Sequence, residues 1–306
     1  MTLTIGTRRS ALALAQTGLI SRMLQSLYPA LEVKQELIVT RGDRILDRPI
    51  AQIDGKGVFV EEIEEALRTG RIDLAVHSAK DLPSQLPADM CIACVPGRAD
   101  ARDVLVSRSG TLEALASGAT IGTSSPRRIG QLRQRRPDLD VRSIRGNIDT
   151  RLRRLDEGAY DAIVLAAAGL DRLGLSDRIT TAFDPDAFIP AVGQGALALE
   201  ARTGDSFLHD LVAPLEHAAS RCALEAERAF LGTVGGGCSA PVGAHASLHG
   251  DTLRMVGYIG STDGRAIRQV ATGDAADPRG CGARLANAIL SAGGRELLDG
   301  HRHEPA

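Results

Sequence analysis

Residues that could perform chemistry are the most informative feature of this sequence, and foremost among them is a cysteine behind three glycines, Gly235-Gly236-Gly237-Cys238. Because glycine has no Cβ atom, it enters backbone conformations that are closed to other residues. We therefore expect the thiol of Cys238 to lie on a mobile or tightly turned loop. An exposed thiol is either a liability or a nucleophile that holds another group. We favour the second role because other segments offer a binding site for such a group.

The second candidate is the pair Lys80-Asp81, which follows a predicted strand. Two opposite charges side by side shift each other's ionisation, and at a strand end they suit proton transfer. The same residues, closed by Pro83, are also typical of a surface turn, and the motif alone favours that turn. His77 is interpreted as a packed or hydrogen-bonded histidine within the strand.

Arginine is concentrated between residues 127 and 154, where it occurs ten times and lysine does not occur. A planar guanidinium binds a carboxylate or phosphate through two parallel hydrogen bonds, which lysine cannot do. Arg127 and Arg128 follow Ser125 and Pro126, which are typical of a helix start. Because a cation in the first turn opposes the helix dipole, a bound anion is the expected compensation.

A similar arrangement follows at Arg145, which precedes a second predicted helix that carries Arg151. We expect these two arginines and the earlier pair to line one wall of a cleft and to bind several carboxylates or phosphates. The chain lacks both GxxxxGK[ST] and a GxGxxG after a strand, which favours a polycarboxylate over a nucleotide. The other arginines of this stretch are equally explained as a solvated charged face.

The elements that position these residues alternate along the chain. Apolar spacing predicts strands at residues 3–7, 33–40, 73–77, 104–107, 120–123, 141–145, 161–166 and 196–200, and helices at residues 11–27, 58–68, 112–116, 126–136 and 148–157. Such alternation indicates βαβ units and largely parallel sheets, and the last strand is expected to rejoin the first sheet. Ligands of α/β proteins favour clefts outside the carboxyl ends of strands, where the candidate residues fall.

The predicted fold is therefore α/β, with two lobes, a cleft between them and a small α+β domain at the C-terminus. We place the first lobe at residues 1–95 with 196–213, the second at 100–190, and the C-terminal domain, which carries Cys238, at 218–306.

Composition and charge argue against several classes of protein for this chain. The chain has 306 residues and a net charge of -2, which argues against a nucleic-acid binder. No stretch approaches the run of about 18 apolar residues that crosses a membrane, and the N-terminus does not have the pattern of a secretory signal. Five scattered cysteines fit reduced thiols better than disulfides. We expect a cytoplasmic protein with no membrane or nucleic-acid partner and no metal site.

In chain order, these motifs together resemble the hydroxymethylbilane synthase family, also called porphobilinogen deaminases. The segments that carry the resemblance span almost the whole chain and are Thr7-Arg8-Arg9-Ser10-Ala11-Leu12-Ala13-Leu14, Val39-Thr40-Arg41-Gly42-Asp43, Gly55-Lys56-Gly57-Val58-Phe59, Val76-His77-Ser78-Ala79-Lys80-Asp81, Gly122-Thr123-Ser124-Ser125-Pro126-Arg127-Arg128, Arg145-Gly146-Asn147-Ile148-Asp149-Thr150-Arg151, Val192-Gly193-Gln194-Gly195-Ala196 and Gly236-Gly237-Cys238-Ser239-Ala240-Pro241. Each segment alone is weak evidence for the family, whereas the ordered set is specific to it.

The resemblance implies two lobes like those of periplasmic binding proteins and a third domain that carries the cysteine. It also implies a monomer that joins four porphobilinogen molecules head to tail with release of ammonia. The product, linear hydroxymethylbilane, is then freed by hydrolysis. The implied cofactor is a dipyrromethane attached to Cys238 through a thioether.

The resemblance further implies the roles of individual residues. The catalytic residues are Asp81, Lys80 and Arg8. The cofactor-binding residues are Cys238, Lys80, Asp81, Ser125, Arg127, Arg128 and Arg145. The substrate-binding residues are Arg8, Ser10, Lys56, Phe59, Arg145, Arg151 and Gln194. Two positions depart from the family: Gln52 stands where many relatives have lysine, and Pro126 where many have leucine.

Two other classes of protein remain to be weighed. A binding protein for a small anion would account for the arginines but not for Lys80-Asp81 or Cys238. A nucleic-acid binder would account for the arginine-rich stretch but not for the net charge or the scarcity of aromatic residues. The sequence therefore favours the enzyme.

Overall fold

The chain forms two compact units in the computed structural model, which describes residues 1–44, 60–235 and 240–302. One unit comprises Met1–Ala99 and Ala196–Arg221, and the other Asp100–Gly195 and Cys222–Ala306. The strands are β1 Thr2–Thr7, β2 Glu32–Leu37, β3 Leu74–Ser78, β4 Met90–Cys94, β5 Asp103–Ser107, β6 Thr120–Gly122, β7 Asp140–Arg142, β8 Ala162–Ala166, β9 Thr181–Ala182, β10 Leu197–Arg202, β11 Val242–His249, β12 Thr252–Gly260 and β13 Ala266–Asp274. The α-helices are α1 Ala11–Leu27, α2 Arg41–Arg44, α3 Glu61–Arg68, α4 Pro126–Arg135, α5 Ile148–Asp156, α6 Ala167–Arg172, α7 Ser206–Val212, α8 Ala218–Val234, α9 Pro278–Ile289 and α10 Arg295–Arg302.

The first unit is built around a five-stranded sheet in the order β2-β1-β3-β10-β4. β1 is parallel to β2 and β3, whereas β10 is antiparallel to both of its neighbours. Ser10 caps α1, because its Oγ accepts a hydrogen bond from the N–H of Ala13 at 3.2 Å. The helix packs the fully buried Ile20 and Leu24 beside Ile5 of β1. This packing fixes the connection from β1 to α1 at the carboxyl edge of the sheet.

The first sheet of the second unit repeats this plan in the order β7-β6-β8-β5-β9. β6 is parallel to β7 and β8, and β5 is antiparallel to β8 and β9. Because β5 runs in the opposite direction, its first residue, Asp103, pairs with Ala166 at the carboxyl end of β8. The start of β5 therefore lies at the same edge as the ends of β6 and β8.

A smaller antiparallel sheet, β11-β12-β13, completes the second unit. α8 and α9 contribute Phe230 and Ile289 to its core. A Cβ on Gly257, in the middle of β12, would lie 2.7 Å from Phe230 and 2.9 Å from Ile289. The two helices also meet at Gly282, where a Cβ would collide with the carbonyl oxygen of Ala226. Glycine at these positions lets both helices reach the sheet and each other.

The predicted α/β fold with a smaller C-terminal α+β part is confirmed. The strand predicted at residues 196–200 rejoins the first sheet as β10, between β3 and β4. The strands predicted to reach residues 40 and 145 end earlier, at Leu37 and Arg142. The division of the second unit into separate domains at residues 100–190 and 218–306 stays a prediction.

The helix predicted at residues 112–116 is wrong, because this segment forms turns. Gly110 and Gly118 flank it with φ angles of 102° and 77°. Backbone at positive φ cannot continue a right-handed helix, and so short a segment between two such residues is unfavourable for helix nucleation.

Candidate active site

A small cavity in the first unit is lined by residues at the carboxyl ends of β1 and β3. Arg8, Ser10, Ser78 and Asp81 all border it. Gln16, which is 3% exposed, donates a hydrogen bond from Nε2 to Ser78 Oγ at 2.7 Å and so joins α1 to the end of β3. The structure therefore brings together three residues that the sequence predicted as parts of one site, namely Arg8, Ser10 and Asp81.

Lys80 and Asp81 lie in a single turn of 3-10 helix that directly follows β3. The turn is anchored at its start, where the N–H of Ala79 donates to the carbonyl of Ala196 at 3.0 Å. Asp81 is exposed, and Lys80 is half-buried. The turn that the motif alone favoured is thus present, and it holds a carboxylate where an N–H group or a cation can approach.

A buried acidic cluster lies beside this cavity. His77 of β3 also lines the cavity, and its Nε2 is 3.0 Å from the carboxylate of Glu200 in β10, which is fully buried. Glu64 of α3 is 7% exposed, and burial, together with the negative charge of Glu200, raises its pKa. Arg68 approaches Glu64 at 3.6 Å. The interpretation of His77 as a packed strand histidine is confirmed, whereas the cluster itself was not predicted.

Three predicted binding residues of the second unit converge on the carboxylate of Asp103, which is fully buried. Asp103 accepts hydrogen bonds from Arg127 Nη1 at 2.6 Å, Arg128 Nη2 at 2.7 Å and Gln194 Nε2 at 2.9 Å. Burial opposes ionisation, but the positive charges of Arg127 and Arg128 outweigh it and hold the pKa of Asp103 well below its usual range. The two arginines are 3% and 7% exposed, so little of either guanidinium reaches the surface.

The predicted helix start at α4 is present, with Ser125 preceding Pro126 in the first turn. The structure shows no capping hydrogen bond to the Ser125 side chain. The neighbouring Ser124 donates instead from Oγ to the carbonyl of Ile144 at 2.7 Å. This bond ties the start of α4 to the loop that carries Arg145.

Arg145 and Arg151 add positive charge near α5. Arg151 Nε donates to the carbonyl of Gly146 at 2.7 Å. Burial, and then the positive charges of Arg128 and Arg145, lower the pKa of Arg151 from 12.5 to about 10. Like charges held together in this way are stabilised by a bound anion, and guanidinium groups suit carboxylates in particular.

A second buried carboxylate fixes the segment that contains Gln194. Glu227 of α8 is fully buried and accepts hydrogen bonds from the N–H of Gly193 at 2.7 Å and of Ala246 at 2.8 Å. The helix that precedes Cys238 in the sequence is thereby joined to the Gln194 segment and to β11.

Several predicted residues, Lys56, Phe59 and Cys238, lie outside the described residues, as does Gln52. Burial raises the pKa of all four described thiols, which belong to Cys91, Cys94, Cys222 and Cys281. The pKa of Cys94 is raised to about 12. At neutral pH these four thiols are therefore poorly ionised and weakly nucleophilic.

Within the described ranges, no group of three or more His, Cys, Asp or Glu side chains could hold a metal ion. Among the described helices, none combines the length and the apolar character needed to cross a membrane.

Sequence reasoning missed the three fully buried acids Asp103, Glu200 and Glu227, as well as the nearly buried Glu64. Each of the three interrupts an apolar pattern: Asp103 opens the buried strand β5, Glu200 lies within β10, and Glu227 lies on the buried face of α8. Acids are rarely buried unless they are paired. The available signal was clearest at Asp103, the single charge in an otherwise apolar strand, whereas α8 carries three other charged residues besides Glu227.

Comparison with known proteins gives one consistent answer. The family profile described as porphobilinogen deaminase, dipyromethane cofactor binding domain, matches residues 3–210, and the profile of the porphobilinogen deaminase C-terminal domain matches residues 221–291. The chain is 59% identical over 299 residues to porphobilinogen deaminase of Roseiflexus castenholzii, covering 97% of this chain and 99% of that one. It is 46% identical over 297 residues to porphobilinogen deaminase of Syntrophobacter fumaroxidans, covering 96% of each chain. Among solved structures, the chain is similar to the periplasmic aliphatic sulphonate binding protein of Escherichia coli, with a TM-score of 0.38 and 14% identity. The match covers 76% of this chain and 70% of that one. This similarity is too remote to bear on function.

Proposed function

Because the chain belongs to the porphobilinogen deaminase family, we propose that residues at the strand ends of its two α/β sheets bind and extend a covalently attached chain of pyrroles. The activity is that of hydroxymethylbilane synthase, a transferase of tetrapyrrole biosynthesis. Four porphobilinogen molecules are joined head to tail on a dipyrromethane cofactor, ammonia leaves at each addition, and hydrolysis frees linear hydroxymethylbilane.

The arginines of the second unit fit a carboxylated cofactor. Each pyrrole of the cofactor carries an acetate and a propionate, so the group is a polyanion. The observation that carries the proposal is the convergence of Arg127 and Arg128 on Asp103, which sets two guanidinium groups against one carboxylate. The charges of Arg128 and Arg145 also add to the effect of burial in lowering the pKa of Arg151. We assign the cofactor carboxylates to the residues predicted for them: Lys80, Ser125, Arg127, Arg128 and Arg145.

We assign the covalent attachment to Cys238. The four described cysteines are poor candidates because burial raises their pKa values. A Cβ on Gly243 of β11 would lie 2.9 Å from Arg127 Cδ, so this strand runs directly against the arginine. Cys238 lies five positions before Gly243 in the sequence, and five residues span at most about 18 Å. A group on Cys238 is therefore within reach of the arginines.

When bound, the cofactor supplies the electron-rich pyrrole carbon to which each new unit is added. A thioether suits this attachment because a thiolate is a good nucleophile toward carbon and the resulting C–S bond resists hydrolysis. The anchor therefore survives the hydrolysis that frees the product.

Asp81 is assigned to the chemical step. Its exposed carboxylate, held at the cavity by the turn after β3, can accept hydrogen bonds from pyrrole N–H groups. The same negative charge stabilises the cation that forms when ammonia leaves, and it can accept the proton that the attacking pyrrole carbon loses. Lys80 and Arg8 are assigned to the carboxylates of the reacting pyrroles. The other substrate contacts are assigned to Ser10, Lys56, Phe59, Arg145, Arg151 and Gln194.

We further propose that the protein acts as a cytoplasmic monomer. The described cysteines are all free, which fits a reducing compartment. Sedimentation equilibrium at micromolar concentration should give the mass of one chain, and a dimer mass would contradict this part of the proposal.

The direct test is intact-protein mass spectrometry before and after incubation with porphobilinogen. Wild type should carry a covalent excess equal to two linked pyrroles and should gain further pyrrole units on incubation. Cys238→Ser should show the bare polypeptide mass under both conditions, whereas the control Cys91→Ser should behave as wild type. If wild type takes up no pyrrole, the assignment fails, and reversible anion binding without catalysis becomes the better account of the arginines.

A further inference from the structure

A single carboxylate organises the buried arginines of the second unit. Arg127 places Nη1 2.6 Å from Asp103 Oδ2, and Arg128 places Nη2 2.7 Å and Nε 3.1 Å from Oδ1. Gln194 donates to the same Oδ1 at 2.9 Å. Both oxygens of Asp103 are therefore engaged by side chains to which ligand binding is assigned above.

The arginines are also fixed at a second point. Arg127 Nη1 donates to the carbonyl of Ile189 at 2.6 Å, and Arg128 Nη1 donates to the carbonyl of Val164 at 2.8 Å. A planar guanidinium that is bonded both to a carboxylate and to a backbone carbonyl has one orientation. Asp103 thus fixes the orientation of both guanidinium groups.

Asp103 also sets the charge of this cluster. Two guanidinium groups face one carboxylate, so the cluster retains one positive charge. That charge acts on its surroundings, because Arg128 contributes to the lowered pKa of Arg151. Without Asp103 the same buried volume would hold two cations without a counter-charge, and unpaired buried charge is strongly unfavourable.

We propose that Asp103 is a positioning residue for pyrrole binding: it aligns Arg127, Arg128 and Gln194 and leaves them with a single net positive charge toward the carboxylates of the cofactor and growing chain. The inference rests on the proposed function of these three residues. It also gives a reason for the antiparallel direction of β5, which brings the first residue of that strand to the edge where α4 begins.

The test uses two substitutions in the full-length chain prepared without cofactor. Asp103→Asn removes the charge at constant shape, and Asp103→Glu keeps the charge but moves the carboxylate by one carbon. We expect both folded variants to attach the cofactor and to consume porphobilinogen about 100-fold more slowly than wild type, since a misplacement near 1 Å has effects of that size. The readouts are the rate of covalent mass gain and the turnover per cofactor-loaded molecule, with thermal midpoints measured in parallel.

Asp100→Asn is the matched control. Asp100 lies three residues before Asp103 and forms an ion pair with Arg102 at 2.6 Å, but its side chain is 28% exposed and does not contact the buried arginines. This variant should attach cofactor and turn over as wild type does.

If Asp103 only stabilised the fold, its variants would show a different pattern of stability and turnover. A lower thermal midpoint with wild-type loading and turnover in either Asp103 variant would overturn the inference. Failure to recover either variant in folded form would also overturn it, because Asp103 would then serve stability alone. If wild type itself gains no pyrrole, the proposed function fails along with the inference. If wild type gains pyrroles and both variants match it, only the inference fails.

Discussion

Replacing Arg151 by glutamine should make the protein more stable and less active. Burial, and then the charges of the neighbouring Arg128 and Arg145, lower the pKa of Arg151 from 12.5 to about 10. At about 1.4 kcal/mol for each pKa unit, the folded state holds this charge at a free-energy cost of about 3 kcal/mol. The lost hydrogen bond to the carbonyl of Gly146 offsets about 1 kcal/mol of that. The variant should therefore unfold with a free energy about 2 kcal/mol higher than that of wild type.

The sign of this effect depends on pH in a defined way. Arg151 is a base whose pKa is lower in the folded state than in the unfolded state, so folding disfavours its charged form. Below about pH 10 the group is charged in both states and the penalty is fully present. At neutral pH the gain from Arg151→Gln is therefore at its maximum, and it should shrink as the pH rises through 10.

Urea unfolding measures the stability, and porphobilinogen consumption measures the activity. The stability comparison belongs in a Cys238→Ser background, because an attached cofactor would stabilise wild type and the variant unequally. Arg154→Gln is the matched control: the residue lies on the same helix but is exposed. It should change neither quantity. A variant at Arg151 that is less stable than wild type, or equally active, would refute the view that this arginine is kept for ligand binding.

Three further predictions follow from other parts of the structure. Asp81→Asn should retain the covalent cofactor, seen by intact mass, and lose most turnover; full activity would contradict the role assigned to this carboxylate. Glu64→Gln should reduce the pH dependence of stability. Burial and the charge of Glu200 raise the pKa of Glu64, so wild type loses stability as the pH rises above 4.5. The urea midpoints at pH 5 and pH 8 should therefore lie closer together in the variant than in wild type. An unchanged difference between the two midpoints would show that Glu64 does not titrate as described. Gly282→Ala should destabilise the second unit by about 1–3 kcal/mol, because its Cβ meets the carbonyl of Ala226, while turnover per folded molecule stays normal; an unchanged unfolding midpoint would mean that the helices separate without strain.

The sheets and their edges could be predicted from the sequence because they depend on local patterns. Alternating apolar spacing located the three parallel strands of each sheet, and the strand after Pro190 was correctly expected in the first sheet. The cavity that joins Arg8 and Asp81 follows from the same reasoning, since Arg8 directly follows β1 and Asp81 lies in the turn after β3. What failed was the short helix at residues 112–116, where two glycines at positive φ outweigh the apolar spacing.

The buried acids could not be predicted because their partners are distant in sequence. Asp103 bonds to side chains 24, 25 and 91 residues further along the chain. No periodic pattern encodes such pairings, which depend on antiparallel strands that bring a strand start to the edge where other strands end. The arginines were therefore recognised as an anion site, whereas the carboxylate that already binds two of them was not.

In the sequence, all strands of the second sheet lie between β4 and β10, and this order has a consequence for synthesis on the ribosome. β10 lies between β3 and β4, so the first sheet lacks an inner strand until residue 202 has been translated. Roughly 100 residues separate β4 from β10, which corresponds to about 5–20 s at ordinary elongation rates. During that time all five strands of the second sheet emerge, from Asp103 to Ala182. The nascent chain can therefore complete its second sheet before its first, and the N-terminal segment waits with an open strand edge that a chaperone could cover.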